Sequence, residues 1–213
     1  MTDMALTLEE TENINEIKDW FEKRGNWLVG VLLAAVLIAV GNGGWRWYTQ
    51  RTAQAASARY DQYEAAVARH DAARARDIAG SLVQNQGGSI YAALAALQQA
   101  KANLTVGDFT SAKAQLQWVA AKSQFPELAA VAHVRLAGVL LDEKSYDAAL
   151  ALLRAPPPGF EADYADRRGD ILFAQGKPAA ARTAYQEALL AAGPRNPLRS
   201  LIQAKLDAIP VAG

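Results

Sequence analysis

The chain has 213 residues, and its 22 lysines and arginines are balanced by 22 acids. That balance leaves no global field to recruit nucleic acid or an acidic substrate, and the length allows one or two domains. There is no cysteine, which excludes disulfides, thiol catalysis and cysteine-based metal sites.

The first 26 residues carry seven acids against Lys18, Lys23 and Arg24, so the tail is acidic and the remainder mildly basic. Thr7 and Glu10 have the spacing of a capping box, and Ile14, Ile17 and Phe21 share a face with Trp20 beside it. Within this tail of residues 1–24, residues 8–24 therefore read either as a short amphipathic helix near a membrane surface or as a partly disordered acidic segment.

Gly25 to Trp45 contains no charge, and aromatic residues flank it at Trp27 and at Trp45, Trp47 and Tyr48. A helix rising 1.5 Å per residue crosses the roughly 30 Å of bilayer hydrocarbon in about 20 residues, and aromatic rings prefer its headgroup level. A transmembrane helix over 25–48 is expected. It is read as an uncleaved anchor, because its leader is acidic and Ala39-Val40-Gly41 is a poor cleavage site. Ala35, Ala39 and Gly43 recur every four residues and form a candidate packing face for another membrane helix. Lys18, Lys23 and Arg24 on one side match Arg46, Arg51 and Arg59 on the other, so basic residues do not orient the span.

Beyond the span, helix is expected to continue to about Arg69, with Tyr60, Tyr63 and Val67 at helical spacing. Asp71 is a candidate N-cap for a second helix through Ala75, Ile78, Ala79 and Leu82, which Gln86-Gly87-Gly88 ends. An internal repeat then appears in "GDFTSAKAQL", "KSYDAALALL" and "GKPAAARTAY". Their alanines Ala112, Ala149 and Ala181 are 37 and 32 residues apart, close to the tetratricopeptide period of about 34. A small residue there lets the second helix of a pair lie close to the first. Gly169, twelve residues before Ala181, supplies the matching small residue in the third copy only. The helix pairs read about 89–122, 127–154 and 160–192. Asn196-Pro197 would start a helix to about residue 208 that covers the open end. The fold class is all-α: one N-terminal transmembrane helix followed by a tetratricopeptide-like α-solenoid over 49–213. The helices of 49–86 are a candidate fourth, atypical unit.

Three blocks, "YAALAALQQAK", "AVAHVRLAGVLLDEKSYDAALALL" and "ADRRGDILFAQGKPAAARTAYQEAL", follow the acidic tail and single anchor in order. Together they resemble the YfgM-type ancillary subunit of the bacterial SecYEG translocon, over nearly the whole chain. The resemblance implies an inner-membrane protein with a cytoplasmic N-terminus and a periplasmic repeat domain. It implies association with the translocon and with a membrane-anchored periplasmic chaperone of the prolyl-isomerase-like type, and a part in handing over exported proteins. A scaffold for cell-envelope assembly unrelated to the translocon is the alternative that the same repeats would serve.

No catalytic residue, cofactor or metal site is expected. His70 and His133 are 63 residues apart and lie in no ligand spacing, and no phosphate loop or nucleophile elbow occurs. Asp163, Asp166 and Asp170 share a helix face that could bind a cation or a basic peptide. Arg167, four residues after Asp163, and Arg168 favour a salt-bridged face instead.

Carried onto the first helix of each pair, the repeat register gives a candidate partner-binding groove. Its residues are Leu94, Leu97, Lys101 and Leu104, then Val131, Val134, Gly138 and Leu141, then Asp163, Asp166, Asp170 and Phe173. Two-thirds of that lining is apolar. It would take an apolar segment of an exported client or chaperone, or be filled by residues 49–86 or the C-terminal helix.

Overall fold

A computed structural model describes the backbone of residues 8–122 and 124–210, and the side chains of Trp27 and of Val29 onward within that range. The expected cap at Thr7 and the side-chain face of Ile14, Ile17, Trp20 and Phe21 lie outside the described residues. Among the described residues there are nine helices and no strand. They are α1 Leu8–Ala68, α2 Ala72–Asn85, α3 Ile90–Thr105, α4 Phe109–Ala120, α5 Pro126–Asp142, α6 Tyr146–Leu152, α7 Glu161–Ala174, α8 Pro178–Ala192 and α9 Arg199–Asp207. The chain divides into two units, residues 1–54 and 55–213.

In the first unit, α1 carries the apolar run. Every described side chain from Trp27 to Gln54 is exposed, including Leu32, Leu37, Ile38 and Val40 at two-thirds or more of their full area. A helix this apolar, long enough to cross a membrane and with every described side chain of its apolar run exposed, has lipid as its natural solvent. Where the apolar run ends, hydroxyls turn back onto the helix. Thr49 Oγ1 donates to the Trp45 carbonyl at 3.0 Å and Thr52 Oγ1 to that of Tyr48 at 3.1 Å. The Arg51 guanidinium lies 4.4 Å from the Trp47 ring centre, pairing a cation and an aromatic at the expected headgroup level.

The second unit is a row of helix pairs built on one turn. At the end of α3, Gly107 adopts φ +80°. The Gly107 N–H donates to the Leu104 carbonyl and that of Asp108 to the Asn103 carbonyl, which is a Schellman closure. Asp108 then caps α4 by accepting from the Ser111 N–H at 3.0 Å. The same closure recurs at Lys144 (φ +59°) and Gly176 (φ +76°). It also occurs at His70 (φ +58°), where the Asp71 N–H donates to the Ala66 carbonyl. Asp71 caps α2 by accepting from the Arg74 N–H. His70 precedes Gly107 by 37 residues, as Gly107 precedes Lys144. The last turns of α1 and α2 therefore form a unit in register with the other three, and Ala75, buried at 4%, stands where Ala112, Ala149 and Ala181 stand.

Packing runs from neighbour to neighbour, as in other repeat arrays. Tyr60, Tyr63, Ala79 and Leu82 of the first pair share a core with Ala92 and Ala95 of α3. Leu97, Leu116, Leu136, Leu140, Leu153 and Ile171 form the central core. The far end is closed by Ile202 and Leu206 of α9 and by Ile209 against Ala181, Tyr185 and Ala188 of α8. Asn196 accepts from the Leu198 N–H at 2.9 Å, but Pro197 and Leu198 form a turn, so α9 starts at Arg199 rather than directly after Pro197. The second pair ends early. α6 has seven residues and stops before Pro156, Pro157 and Pro158, which have no N–H to extend it.

Candidate functional site

The first helices of the pairs lie side by side, with α3 against α5 and α5 against α7. Their common face holds the expected groove residues, but much of the apolar lining is already used. Leu97 is only 4% exposed and belongs to the central core, so it is not a lining residue. Val131 and Val134 are half-buried against that core, and Leu94 packs on the Tyr60–Leu82 cluster of the first pair. Neighbouring helices thus bury part of the apolar lining that the register aims at this face.

Two cavities border the expected groove residues Lys101, Leu104, Gly138 and Leu141. The larger, of about 510 Å³, is lined by Tyr63, Val67 and His70 at the end of α1 and by Gln98, Lys101 and Thr105 of α3. Burial, followed by the neighbouring Tyr60, pushes the Tyr63 hydroxyl up to about 12. The smaller, of about 370 Å³, is lined by Leu104, Phe109, Arg135, Gly138, Leu141 and Arg167, among others. Lys101, Leu104, Gly138 and Leu141 are thus brought to open space, and Phe173 is 48% exposed.

The aspartate stripe is closed from within. Lys205 Nζ of α9 lies 2.8 Å from both Asp166 Oδ2 and Asp170 Oδ1. Asp170 Oδ1 also accepts from the Tyr185 hydroxyl at 2.8 Å, and its Oδ2 accepts from Arg167 Nη1 at 3.1 Å. The expected pair between Asp163 and Arg167 does not form. Arg167 turns one turn forward to Asp170, whose other partners fix its carboxylate. Burial raises the Asp166 carboxyl above its ordinary value, against the pull of Lys205, and Asp170 adds to the rise. Burial and the hydrogen bond to Asp170 raise the Tyr185 hydroxyl strongly. Arg168 works elsewhere. It donates to the Leu153 carbonyl at the end of α6 and pairs with Glu187 of α8 at 2.6 Å.

The reading of the sequence missed Arg135, Arg167 and Gln98 as residues of this face. Each stands four residues after the first lining position of its copy (Leu94, Val131 and Asp163), and i, i+4 spacing is the signal that would have found them. His70 edges the larger cavity, while His133 Nδ1 lies 3.2 Å from the Tyr164 hydroxyl, and burial lowers its pKa.

With this geometry in view, the similarities are informative. Residues 18–211 match the family described as tetratricopeptide repeat-like domain. A protein of Haemophilus influenzae named "Ancillary SecYEG translocon subunit" is 32% identical over 87% of this chain and 91% of its own length. The chain belongs to the family of ancillary SecYEG translocon subunits. A Neisseria gonorrhoeae member of the same name is 32% identical over 97% of this chain and 100% of its own length. One from Escherichia coli is 30% identical over 86% and 88%. The match extends through residues carrying the apolar helix as well as through the helix pairs.

Proposed function

We propose that the protein is a membrane-tethered interaction module that works beside the SecYEG translocon. Its N-terminus lies in the cytoplasm, one helix crosses the bacterial inner membrane, and the repeat domain stands in the periplasm. There it binds a membrane-anchored prolyl-isomerase-like chaperone and assists the handover of exported proteins. The reading assigns it no reaction, cofactor or catalytic residue.

The observation that carries the proposal is the end-to-end match to relatives named as translocon subunits, in a chain with one apolar span among its described residues. Physics supplies the reason for the anchor. Tethering holds the repeat face near the exit of the translocon and raises its effective concentration there without any new contact. The exposed small-residue face of Ala35, Ala39 and Gly43 supports a contact with another membrane helix. Full-length protein solubilised in mild detergent should carry translocon subunits with it, and a preparation free of them would sink the proposal. A reporter active only outside the cytoplasm, fused after Gly213, should be active; silence would reverse the orientation.

A further inference from the structure

Two arginines occupy equivalent places on neighbouring first helices. Arg135 of α5 and Arg167 of α7 line the same cavity of about 370 Å³, whose apolar walls include Leu104, Phe109 and Leu141. Gly138 opens the space between them. A Cβ at that position would lie 3.6 Å from Arg167 Cζ, so a longer side chain would fill the cavity.

Neither cation is saturated by protein acceptors. Arg135 Nη1 donates to one neutral acceptor, the Leu97 carbonyl, at 3.3 Å. Arg167 shares Asp170 with Lys205 and Tyr185, and its Nε is buried without a partner. Asp142 is the one carboxylate among the cavity's described lining residues and Asp170 already pairs with Arg167, so the guanidinium of Arg135 is the one left without a carboxylate partner among the described residues. On the cavity of about 510 Å³ Lys101 is exposed, and it makes no ion pair among the described residues.

We propose that this cavity docks a segment of a partner protein that carries aspartate or glutamate side chains among apolar residues. The proposal rests on the reading of the domain as an interaction module and names the chemistry of what it binds. A guanidinium presents its donors in a planar fork that fits a carboxylate, and bonds between charged groups are about twice as strong as neutral ones. The walls of Leu104, Phe109 and Leu141 bury the partner's apolar side chains, which supplies affinity. The arginines supply selection, because a lysine in the same place meets like charge. The side-chain carboxylate, rather than a chain terminus, is the feature read.

The test uses full-length protein in detergent micelles and a fluorescent peptide of leucine and glutamate, acetylated and amidated so that its termini carry no charge. A twin has lysine for each glutamate. Anisotropy should show the glutamate peptide binding about tenfold tighter than the twin, since one charge-assisted contact is worth about that factor. Arg135→Glu should abolish or reverse the preference, and Gly138→Leu should weaken both peptides. Should Arg135→Glu disturb the fold, as read by circular dichroism and thermal melting, Arg135→Gln is used; it should reduce the preference. Equal binding of the twins, or a preference untouched by either substitution at Arg135, overturns the proposal. So does the failure of both peptides to bind. Translocon subunits in the same preparation would then leave the proposed function standing. If the peptide preference holds but no translocon subunit co-purifies, the docking site stands and the translocon reading falls.

Discussion

Gly169 and Tyr185 fit together as backbone and ring: a Cβ on Gly169 would lie 2.5 Å from Tyr185 Cε1. Residues sixteen apart hold equivalent places in every unit, and their sizes compensate. Ala100 stands to Leu116, and Ala137 to Leu153, as Gly169 stands to Tyr185, and all six are buried. The largest partner requires the smallest residue. Gly169→Ala should therefore lower stability by about 1–2 kcal/mol, the cost of overpacking outweighing the better helix propensity of alanine. Denaturant midpoints check this. Adding Tyr185→Leu to Gly169→Ala should recover part of the loss, because the added methyl then has room although the bond to Asp170 is gone.

The four equivalent turns make a second test. Lys144 and His70 hold left-handed backbone that costs an L-residue roughly 1–2 kcal/mol, and Gly107 and Gly176 hold it without that cost. Lys144→Gly should raise stability by about 1 kcal/mol, while Gly107→Ala, with open space around its Cβ position, should lower it by a similar amount. If His70→Gly gives no gain where Lys144→Gly does, the first unit's turn is not held like the others.

The Lys205 contact predicts an asymmetry between two aspartates. Asp170 serves Lys205, Arg167 and the Tyr185 hydroxyl, whereas Asp166 serves Lys205 alone among the described residues. Asp170→Asn should cost about 2 kcal/mol, since it strands charged partners that are mostly out of water. Asp166→Asn should cost much less, because removing that charge also removes a burial penalty. Thermal melts of the two variants side by side give the comparison.

His133 sets the sign of a pH effect. Burial holds its folded pKa below the ordinary 6.5, so as pH falls the unfolded chain takes up this proton first. The contribution of His133 to stability is full above about pH 6.5 and is lost as pH falls toward the folded value. Asp166 has the opposite sign, since its raised carboxyl favours the folded state more as pH falls toward 3.8. Urea midpoints followed below pH 6.5 should decline less steeply in His133→Gln than in the unaltered protein.

The all-α repeat was legible because Ala112, Ala149 and Ala181 recur where helices must approach closely, and all three are fully buried. The register of the first unit was hidden by an exchange of sizes. There Tyr63 is the large residue on the first helix and Ala79 the small one on the second, the reverse of the later pairs, and His70 replaces the turn glycine. The groove was legible only in part. Lys101, Leu104, Gly138 and Leu141 reach open space, but whether a helix residue faces a cavity or a neighbour depends on the rotation of the helix, which a repeat register does not specify. That rotation buries Leu97 and turns out Arg135 and Arg167, and Lys205 arrives at the aspartates from a helix outside the repeats.

The central claim is that the first-helix face of the tethered domain meets other proteins beside the translocon. Photocrosslinking groups placed at Lys101 and Leu141, in full-length protein within intact inner membranes, test it most directly. Adducts to translocon subunits or to a periplasmic chaperone are the expected result. Products confined to the protein's own chain at both positions would contradict it.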